Sequence, residues 1–284
     1  MKLLTSPLFS LLFISGWNYV ASFGVSDNSK SITTSSSSSS RRQILRSIVG
    51  SSLVASNILP TLPAQAEEEE FIQVYFGCGC FWHVMHEFVM AEKNILKRAD
   101  LDLTSRAGYA GGLVPSEKVC YHNALNIGDY GKLGHAEVVS MSIPPSKFKD
   151  FAREYFLLFD AKGNRPDQNG DRGPEYRNLV GIPGGSKSPL AQELIEASKA
   201  TGDKLDFAIG KGNDKELRAV SFIMDSDKFP FYVAEQYHQF HDGFNLNENY
   251  PNSYNSLASK LAKEGKLEQS ACPNGLIGVG VLGL

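Results

Sequence analysis

A short apolar run, Phe71 to Phe76, stops at Gly77-Cys78-Gly79-Cys80, and Trp82, Met85, Phe88 and Val89 then recur at helical spacing. This predicts a strand, a glycine turn and a helix that starts near Cys80. The same alternation continues downstream. Leu101 to Ala107 reads as a second strand, and Gly108-Tyr109-Ala110-Gly111-Gly112 as a loop by composition. From His135 to Ile143 the side chains alternate, with His135, Glu137, Val139, Met141 and Ile143 on one face. Pro145-Ser146 starts a helix whose apolar stripe is Phe148, Phe151, Ala152, Tyr155 and Phe159. Asn164 to Pro174 is a long polar loop, Glu175 to Ile182 a strand, Pro189 the first turn of a third helix, and Ala219 to Met224 another strand. The order βαββαβ predicts an α+β fold of split-βαβ, ferredoxin-like type. It is a two-layer sandwich with helices on one sheet face, extended loops and a long irregular tail over 265–284.

The chain does not commit all of its 284 residues to this fold. Residues 1–66 hold five basic groups and the single acid Asp27, leaving the other 218 residues with 23 basic and 30 acidic groups, net −7. A basic leader before an acidic body is the layout of a targeting segment before one folded domain, residues 67–284. The body's charge argues against nucleic acid as a partner, since phosphate binding needs clustered Lys and Arg. Residues 1–23 have a signal-like layout, too short and interrupted to span a membrane. Residues 24–40 are serine-rich, with six consecutive serines, and transit-like. Residues 41–66 carry Arg41-Arg42, a mildly apolar segment and Ala64-Gln65-Ala66, a pattern like that of a twin-arginine signal. In series these segments resemble the leader of a thylakoid-lumen protein in an alga with a secondary plastid; a secreted protein or another plastid compartment is the alternative. With the leader removed, no stable membrane anchor is expected, and the domain is expected to be a monomer. Glu67 to Glu70 reads as a solvated start of the mature chain.

Two residues stand out chemically. Cys80 sits where a Gly-x-Gly turn meets a helix N-terminus, and the unpaired N–H groups and helix dipole there favour a thiolate. Phe81 and Trp82 beside it can wall a small apolar group. The same residues also fit a buried structural cysteine among core aromatics. Glu137 falls on the apolar face of its strand, where an ionised carboxyl is costly and its pKa rises, making it a candidate general acid. An edge position with Glu137 reaching solvent is the alternative.

Five motifs occur in order: Gly79-Cys80-Phe81-Trp82, Gly108-Tyr109-Ala110-Gly111-Gly112, Gly134-His135-Ala136-Glu137-Val138, Asp171-Arg172-Gly173-Pro174-Glu175-Tyr176-Arg177, and Phe231-Tyr232-Val233-Ala234-Glu235-Gln236-Tyr237-His238-Gln239. Together, over roughly 72–242, they resemble the A-type peptide methionine sulfoxide reductases. The resemblance implies thiol-dependent reduction of the S epimer of methionine sulfoxide, protein-bound or free, as repair of oxidative damage. It implies that Cys80 is the nucleophile, and that Phe81, Trp82 and Tyr232 hold the substrate. Glu137, Asp171 and Tyr176 would serve the sulfoxide oxygen. Cys80 would become a sulfenic acid, resolved to an intramolecular disulfide that a thioredoxin-like dithiol reduces, with no bound cofactor. Two departures stand out. Ser116 occupies a place where many relatives carry tyrosine, so Tyr109 or Tyr121 is a candidate replacement. The tail carries Cys272 but has Gly280 where some relatives have a second cysteine.

The resemblance makes Cys272 the expected resolving residue, acting in one step. Cys78 is the alternative, although a Cys-x-Cys ring is tight. Cys120 is also possible but fits a buried small hydrophobe better. Two other functions remain open. Cys78, Cys80, His83 and His86 have a spacing that can supply four zinc ligands, and a protein of this kind can bind oxidised methionine without turning it over.

Overall fold

The computed structural model describes residues 69–113, 116–166, 169–243, 249–268 and 270–273. The leader and the glycine-rich end from Gly275 lie outside the described residues. Among those described, no helix is long and apolar enough to cross a membrane.

The chain builds one seven-stranded mixed sheet in the order β5-β6-β4-β1-β3-β2-β7. Its centre is the expected split-βαβ arrangement. Strand β1 (Ile72–Gly77) pairs antiparallel with both β3 (Ala136–Ile143) and β4 (Leu179–Ile182). Strand β2 (Arg106–Ala110) pairs antiparallel with β3 on its far side. Helix α1 (Phe81–Ile95) follows β1, and α2 (Phe148–Leu157) follows β3. Three strands extend this centre. Strands β5 (Asp206–Ile209) and β6 (Val220–Asp225) add in parallel beyond β4, after helix α3 (Pro189–Ala200). The two-residue β7 (Tyr232–Val233) adds to β2.

Alternation sorts the strands onto two faces. Val74 and Phe76 of β1, Val139, Met141 and Ile143 of β3 and Val180 and Ile182 of β4 join one core with α1, α2 and α3. The Phe76 ring stacks on Phe88 of α1 at 4.7 Å and meets Phe148 and Tyr155 of α2 at 6.2 and 5.4 Å. Full burial of such a ring stabilises by about 1.5–3 kcal/mol. The opposite face carries a smaller cluster, Tyr75, Val138, Leu179, Phe222 and Met224, packed by Phe229 and Phe231. The Tyr75 hydroxyl donates to the Phe229 carbonyl at 2.8 Å, so a loop, not a helix, covers this side.

Several boundaries differ from the sequence reading, each for a local reason. The expected strand at Leu101–Ala107 begins instead at Arg106. Thr104 and Ser105 spend their backbone N–H groups on the buried Glu92 carboxylate, and Asp100–Asp102 is a 3-10 turn. The glycine segment 108–112, expected to be a loop, lies mostly within β2. A Cβ at Gly108 would come within 2.2 Å of the Tyr232 carbonyl, so the glycine there admits the neighbouring strand β7. Glu175 is not in a strand: Pro174–Tyr176 forms a 3-10 turn, and β4 begins only at Leu179. Two short helices precede the tail, α4 (Asn252–Asn255) and α5 (Leu257–Lys263). Asp242 organises their start, accepting from Tyr250 N and Asn255 Nδ2 at 3.0 and 2.7 Å. Glu69 and Glu70 are exposed, as expected of a solvated stretch, and Glu69 also accepts from the backbone and hydroxyl of Ser146, both at 2.6 Å.

Candidate active site

The turn between β1 and α1 brings Cys80 to the N-cap of α1, with extended backbone (φ −60°, ψ 123°). Gly79 makes this possible. Its φ of +82° is in the left-handed region, and a Cβ there would meet Arg165 Nη1 at 2.9 Å. Its N–H donates to the Tyr176 carbonyl at 3.1 Å, fastening the Pro174–Tyr176 turn against the cysteine loop. Cys80 is buried but for 7 % of its surface.

Glu137 faces this helix end. It is the second residue of β3, between β1 and β2, and is 2 % exposed. The edge alternative is thereby excluded, and the core-face register read from sequence holds. One carboxylate oxygen accepts from Phe81 N at 3.0 Å, the first N–H of the helix that Cys80 caps. The other accepts from the Tyr130 hydroxyl at 3.3 Å. Burial pushes Glu137 up to about 8, with the neighbouring Asp171 carboxylate adding to the rise. The Phe81 and Tyr130 donors pull the other way and do not cancel it. At neutral pH, Glu137 therefore carries a proton next to Cys80.

Tyrosines surround this pair. Tyr109 is fully buried, stacks on Tyr130 at 4.5 Å and packs against Phe81 at 5.9 Å. Its hydroxyl donates to Glu235 at 2.9 Å and is raised by burial, then by the charges of Glu235 and Glu137. Tyr121 stacks on Tyr130 at 5.8 Å, and its hydroxyl is raised by burial, then by the charges of Glu137 and Cys80. Tyr176 is likewise raised by burial and by Glu137. Ser116 faces outward and donates to the Lys118 carbonyl at 2.6 Å. Of the two replacements considered for its missing hydroxyl, both phenols feel the charge of Glu137, but Tyr109 is committed to Glu235 and Tyr121 is the one that also feels Cys80.

Asp171 is 8 % exposed, and its charge acts on Glu137, Tyr121 and Tyr176 together. Phe81 is wholly buried between Tyr109 and His238, while Trp82 is half-buried, stacked on His241 at 4.0 Å with its indole N–H donating to His238 Nδ1 at 3.2 Å. Burial, then the charge of His241, pushes His238 down to about 3, so it accepts as neutral imidazole. Tyr232 lies opposite Tyr109 on the next strand, and its ring meets His135 edge-on at 5.2 Å. It stands one strand further from Glu137 than the other sequence-derived site residues.

Arg177, fully buried, ties the surrounding loops together. Its guanidinium donates to the carbonyls of Gly111 at 2.8 Å, Gly134 at 3.1 Å and Pro174 at 2.6 Å, one from each of three motifs. Gly111 (φ +83°) makes room: a Cβ there would lie 2.7 Å from Arg177 Nη2.

Sequence reasoning missed Tyr130 and Glu235. Tyr130 reaches both Glu137 and Glu175, and His122 bridges Glu175 and Asp129 at 3.1 and 3.0 Å behind it. Its only sequence signal was an aromatic residue close before the Gly134 motif. Glu235 lay inside a quoted motif, but its role depends on Tyr109 and Tyr121, which donate to it from distant segments.

The cysteines correct one expectation and leave another in place. Cys120 is buried as expected but is no bystander, because it forms a disulfide with Cys272, 152 residues away, with Cα atoms 5.6 Å apart. Cys78 and Cys80 are outside that bond. The proposed zinc set does not assemble: His86 bonds Glu87 and stacks on Tyr250 at 3.8 Å. Among the described residues, the donor atoms near enough to share an ion are those of Cys120, Glu235 and Cys272, within 4.8 Å of one another. Two of these three are the bonded sulfurs, which offer no thiolate to a metal.

A family model described as peptide methionine sulfoxide reductase matches residues 72–271. A peptide methionine sulfoxide reductase MsrA of Sulfolobus acidocaldarius is 29% identical over 181 residues, 62% of this chain and 82% of that protein. One from Deinococcus radiodurans is 28% identical over 219 residues, 75% of this chain and 87% of its own length. A solved methionine sulfoxide reductase A of Corynebacterium diphtheriae aligns with a TM-score of 0.40 at 22% identity, over 69% of this chain and 89% of that one.

Proposed function

Because the chain belongs to the peptide methionine sulfoxide reductase family and reduces methionine sulfoxide to methionine, we propose that Cys80 is its nucleophile and Glu137 its acid. The observation that carries this assignment is the hydrogen bond from Phe81 N to Glu137 at 3.0 Å. It joins the first turn of the helix that Cys80 caps to a carboxyl whose proton is retained to about pH 8. A sulfoxide placed there meets a sulfur on one side and a proton donor for its oxygen on the other.

The Cys80 sulfur attacks the sulfoxide sulfur while Glu137 protonates the oxygen. Oxygen passes to Cys80, methionine leaves, and Cys80 remains as a sulfenic acid. Tyr130, Tyr121 and Tyr176 supply hydroxyls around the oxygen, and Asp171 keeps the Glu137 proton in place by its charge. Phe81 and Trp82 form the apolar wall for the substrate methyl, Trp82 from the solvent side and Tyr232 from the outer strand. The oxidising equivalent leaves through Cys272 to a thioredoxin-like dithiol. The substrate is the S epimer, free or in oxidised proteins, and no bound cofactor takes part. The sulfenic acid distinguishes this reading from a sulfoxide-binding protein without turnover.

The test uses separated S and R epimers with wild-type protein and Cys80→Ser. Methionine is expected from the S epimer only, and none from the variant. Equal rates on both epimers, or activity that survives the substitution, would refute the assignment. The three-part leader supports action in a thylakoid lumen. N-terminal sequencing of mature protein should then begin near Glu67, and a start well before it would overturn that placement.

A further inference from the structure

An acid that gives up its proton at each turnover must be reloaded, and Glu137 is buried. Its partner on one oxygen is the Phe81 amide N–H, which does not release a proton. The other oxygen opens onto a different kind of partner. The Tyr130 hydroxyl lies 3.3 Å from Glu137 Oε1 and 3.4 Å from Glu175 Oε2. A phenol carries a single proton, so it serves both carboxyls only by donating to one and accepting from the other. Glu175 Oε2 is in turn 3.1 Å from His122 Nε2, and the other ring nitrogen, Nδ1, is 3.0 Å from Asp129 Oδ2. Glu137, Tyr130, Glu175 and His122 therefore form one unbroken line. Glu137 and Tyr130 are 2 % and 0 % exposed, whereas the Glu175 and His122 side chains are 30 % and 42 % exposed. Water reaches the outer half of the line and not the inner half.

The fold builds this line deliberately into one loop. Cys120 N donates to the Gly128 carbonyl at 2.7 Å and Tyr130 N to the Cys120 carbonyl at 2.9 Å, closing the segment that carries His122, Asp129 and Tyr130. Gly131 then admits Glu175, because a Cβ there would collide with its carboxylate. Asp129 is buried, and its Oδ1 accepts from Lys132 N at 3.1 Å. The groups facing His122 are the Asp129 and Glu175 carboxylates and the Tyr121 and Tyr130 rings, at 5.2 and 4.8 Å. Burial lowers His122, but the Asp129 hydrogen bond and the Glu175 charge outweigh it, so the imidazole stays charged to higher pH than usual.

Resting on the reading of Glu137 as the acid, we propose that Tyr130, Glu175 and His122 form a proton path that reloads Glu137 from solvent after each turnover. The proton that Glu137 gives to the sulfoxide ends on the sulfenic acid oxygen, leaving Glu137 ionised. His122 passes its Nε2 proton to Glu175 Oε2. That proton moves on to the Tyr130 oxygen as the Tyr130 proton moves to Glu137 Oε1. His122 recovers a proton from water or a buffer acid, and no electrons move. Over a full cycle the proton taken in equals the one that Cys80 releases on becoming a thiolate again. Burial and the charge of Glu137 push the Tyr130 phenol far up, so it does not ionise and gives and takes in one motion. The two spans at Tyr130 exceed the ~2.8 Å usual for O–H···O bonds, and such catalytic contacts tighten when substrate closes the site. Asp129 is the positioning residue: it holds Nδ1 and so aims Nε2 at Glu175.

Infrared spectroscopy of the reduced full-length chain tests the path. Below the Glu137 pKa of about 8, wild type should show a protonated carboxyl band that Glu137→Gln lacks. On rapid mixing into heavy water, that band shifts as its proton exchanges. Glu175→Gln and His122→Gln should each slow this exchange by about 10²-fold, the lower end of what a positioned proton donor contributes. Gly131→Ala, which displaces the Glu175 carboxylate and removes no ionisable group, should slow it likewise. Added imidazole should restore the rate in His122→Ala in proportion to its acid form and leave Glu175→Gln slow, a rescue that a merely structural role does not give. In wild type, which needs no variant to fold, exchange should slow as pH rises through the His122 ionisation. Wild-type exchange rates in both Glu175→Gln and His122→Gln, or wild-type exchange independent of pH over that range, would overturn the path and leave Glu137 as the acid. A His122→Ala that imidazole does not restore would remove His122 as the entry point. The lack of any protonated band that depends on Glu137 would overturn the reading of Glu137 itself.

Discussion

Glu92 and Glu137 are both fully interior carboxylates facing donors from distant segments, yet their surroundings differ in kind. Glu92 accepts from the backbone N–H groups of Thr104 and Ser105, from both of their hydroxyls and from the Arg98 guanidinium. Its charge is matched by a cation and its lone pairs are filled, so it pins the end of α1 to the approach to β2. Glu137 accepts one N–H and one phenol, and its charged neighbour Asp171 is another carboxylate. Burial without a matching cation keeps the proton on. The two sites show that burial alone does not decide what a carboxylate does; its partners decide whether it is an anchor or an acid.

The largest expected effect is at the acid. Glu137→Gln should slow methionine release by about 10²- to 10⁴-fold, the usual range for general acid catalysis, with little change in melting temperature. A variant that melts early but turns over normally would erase the distinction. The mirror experiment is Glu92→Ala, which strands Arg98 and four other donors. It should cost about 3–5 kcal/mol in urea denaturation, as for removal of one partner from a buried ion pair, while the folded fraction keeps its rate. Full stability with lost activity would make Glu92 part of the chemistry.

A third test uses pH. The Glu137 pKa is raised above the carboxylate range, so the protonated form is present below about 8 and lost above it. The single-turnover rate should fall as pH rises through about 8, and Glu137→Gln should lack that limb. Stability follows the same sign. Between the ordinary carboxyl pKa and about 8 the native state holds a proton that the unfolded chain has released, so Glu137 favours the fold less as pH rises. The smallest effect is expected for Tyr130→Phe. It removes one donor from Glu137, worth about 0.5–1.5 kcal/mol, and should move the limb to higher pH because that donor favours the ionised carboxylate. A shift to lower pH would count against the hydrogen bond.

Which parts were legible in the sequence follows from the range of the forces involved. Helix α1 and its start at Cys80 were readable because the strand, the Gly-x-Gly turn and the 3.6-residue stripe are local. Glu137's face was readable because a strand's period of two is strict, and Val139, Met141 and Ile143 set it. The strand expected at Leu101 was misplaced because Glu92, on another element, takes the backbone groups of Thr104 and Ser105. Gly108 read as a loop because its use, admitting Tyr232 of a neighbouring strand, is not visible along the chain.

The sequence by itself determined the βαββαβ order, the placing of a thiol at a helix N-terminus, the burial of one carboxyl and, through five ordered motifs, the family. Only the tertiary structure decided that the helix's first N–H would bond that carboxyl, that Tyr130 would be its second donor, and that Cys120 would meet Cys272. Periodicity assigns a side chain to a face, but residues 152 apart meet only where loops bring them together. Those loop paths depend on buried long-range hydrogen bonds such as the two from Arg177 to the Gly111 and Gly134 carbonyls, which leave no regular pattern along the chain.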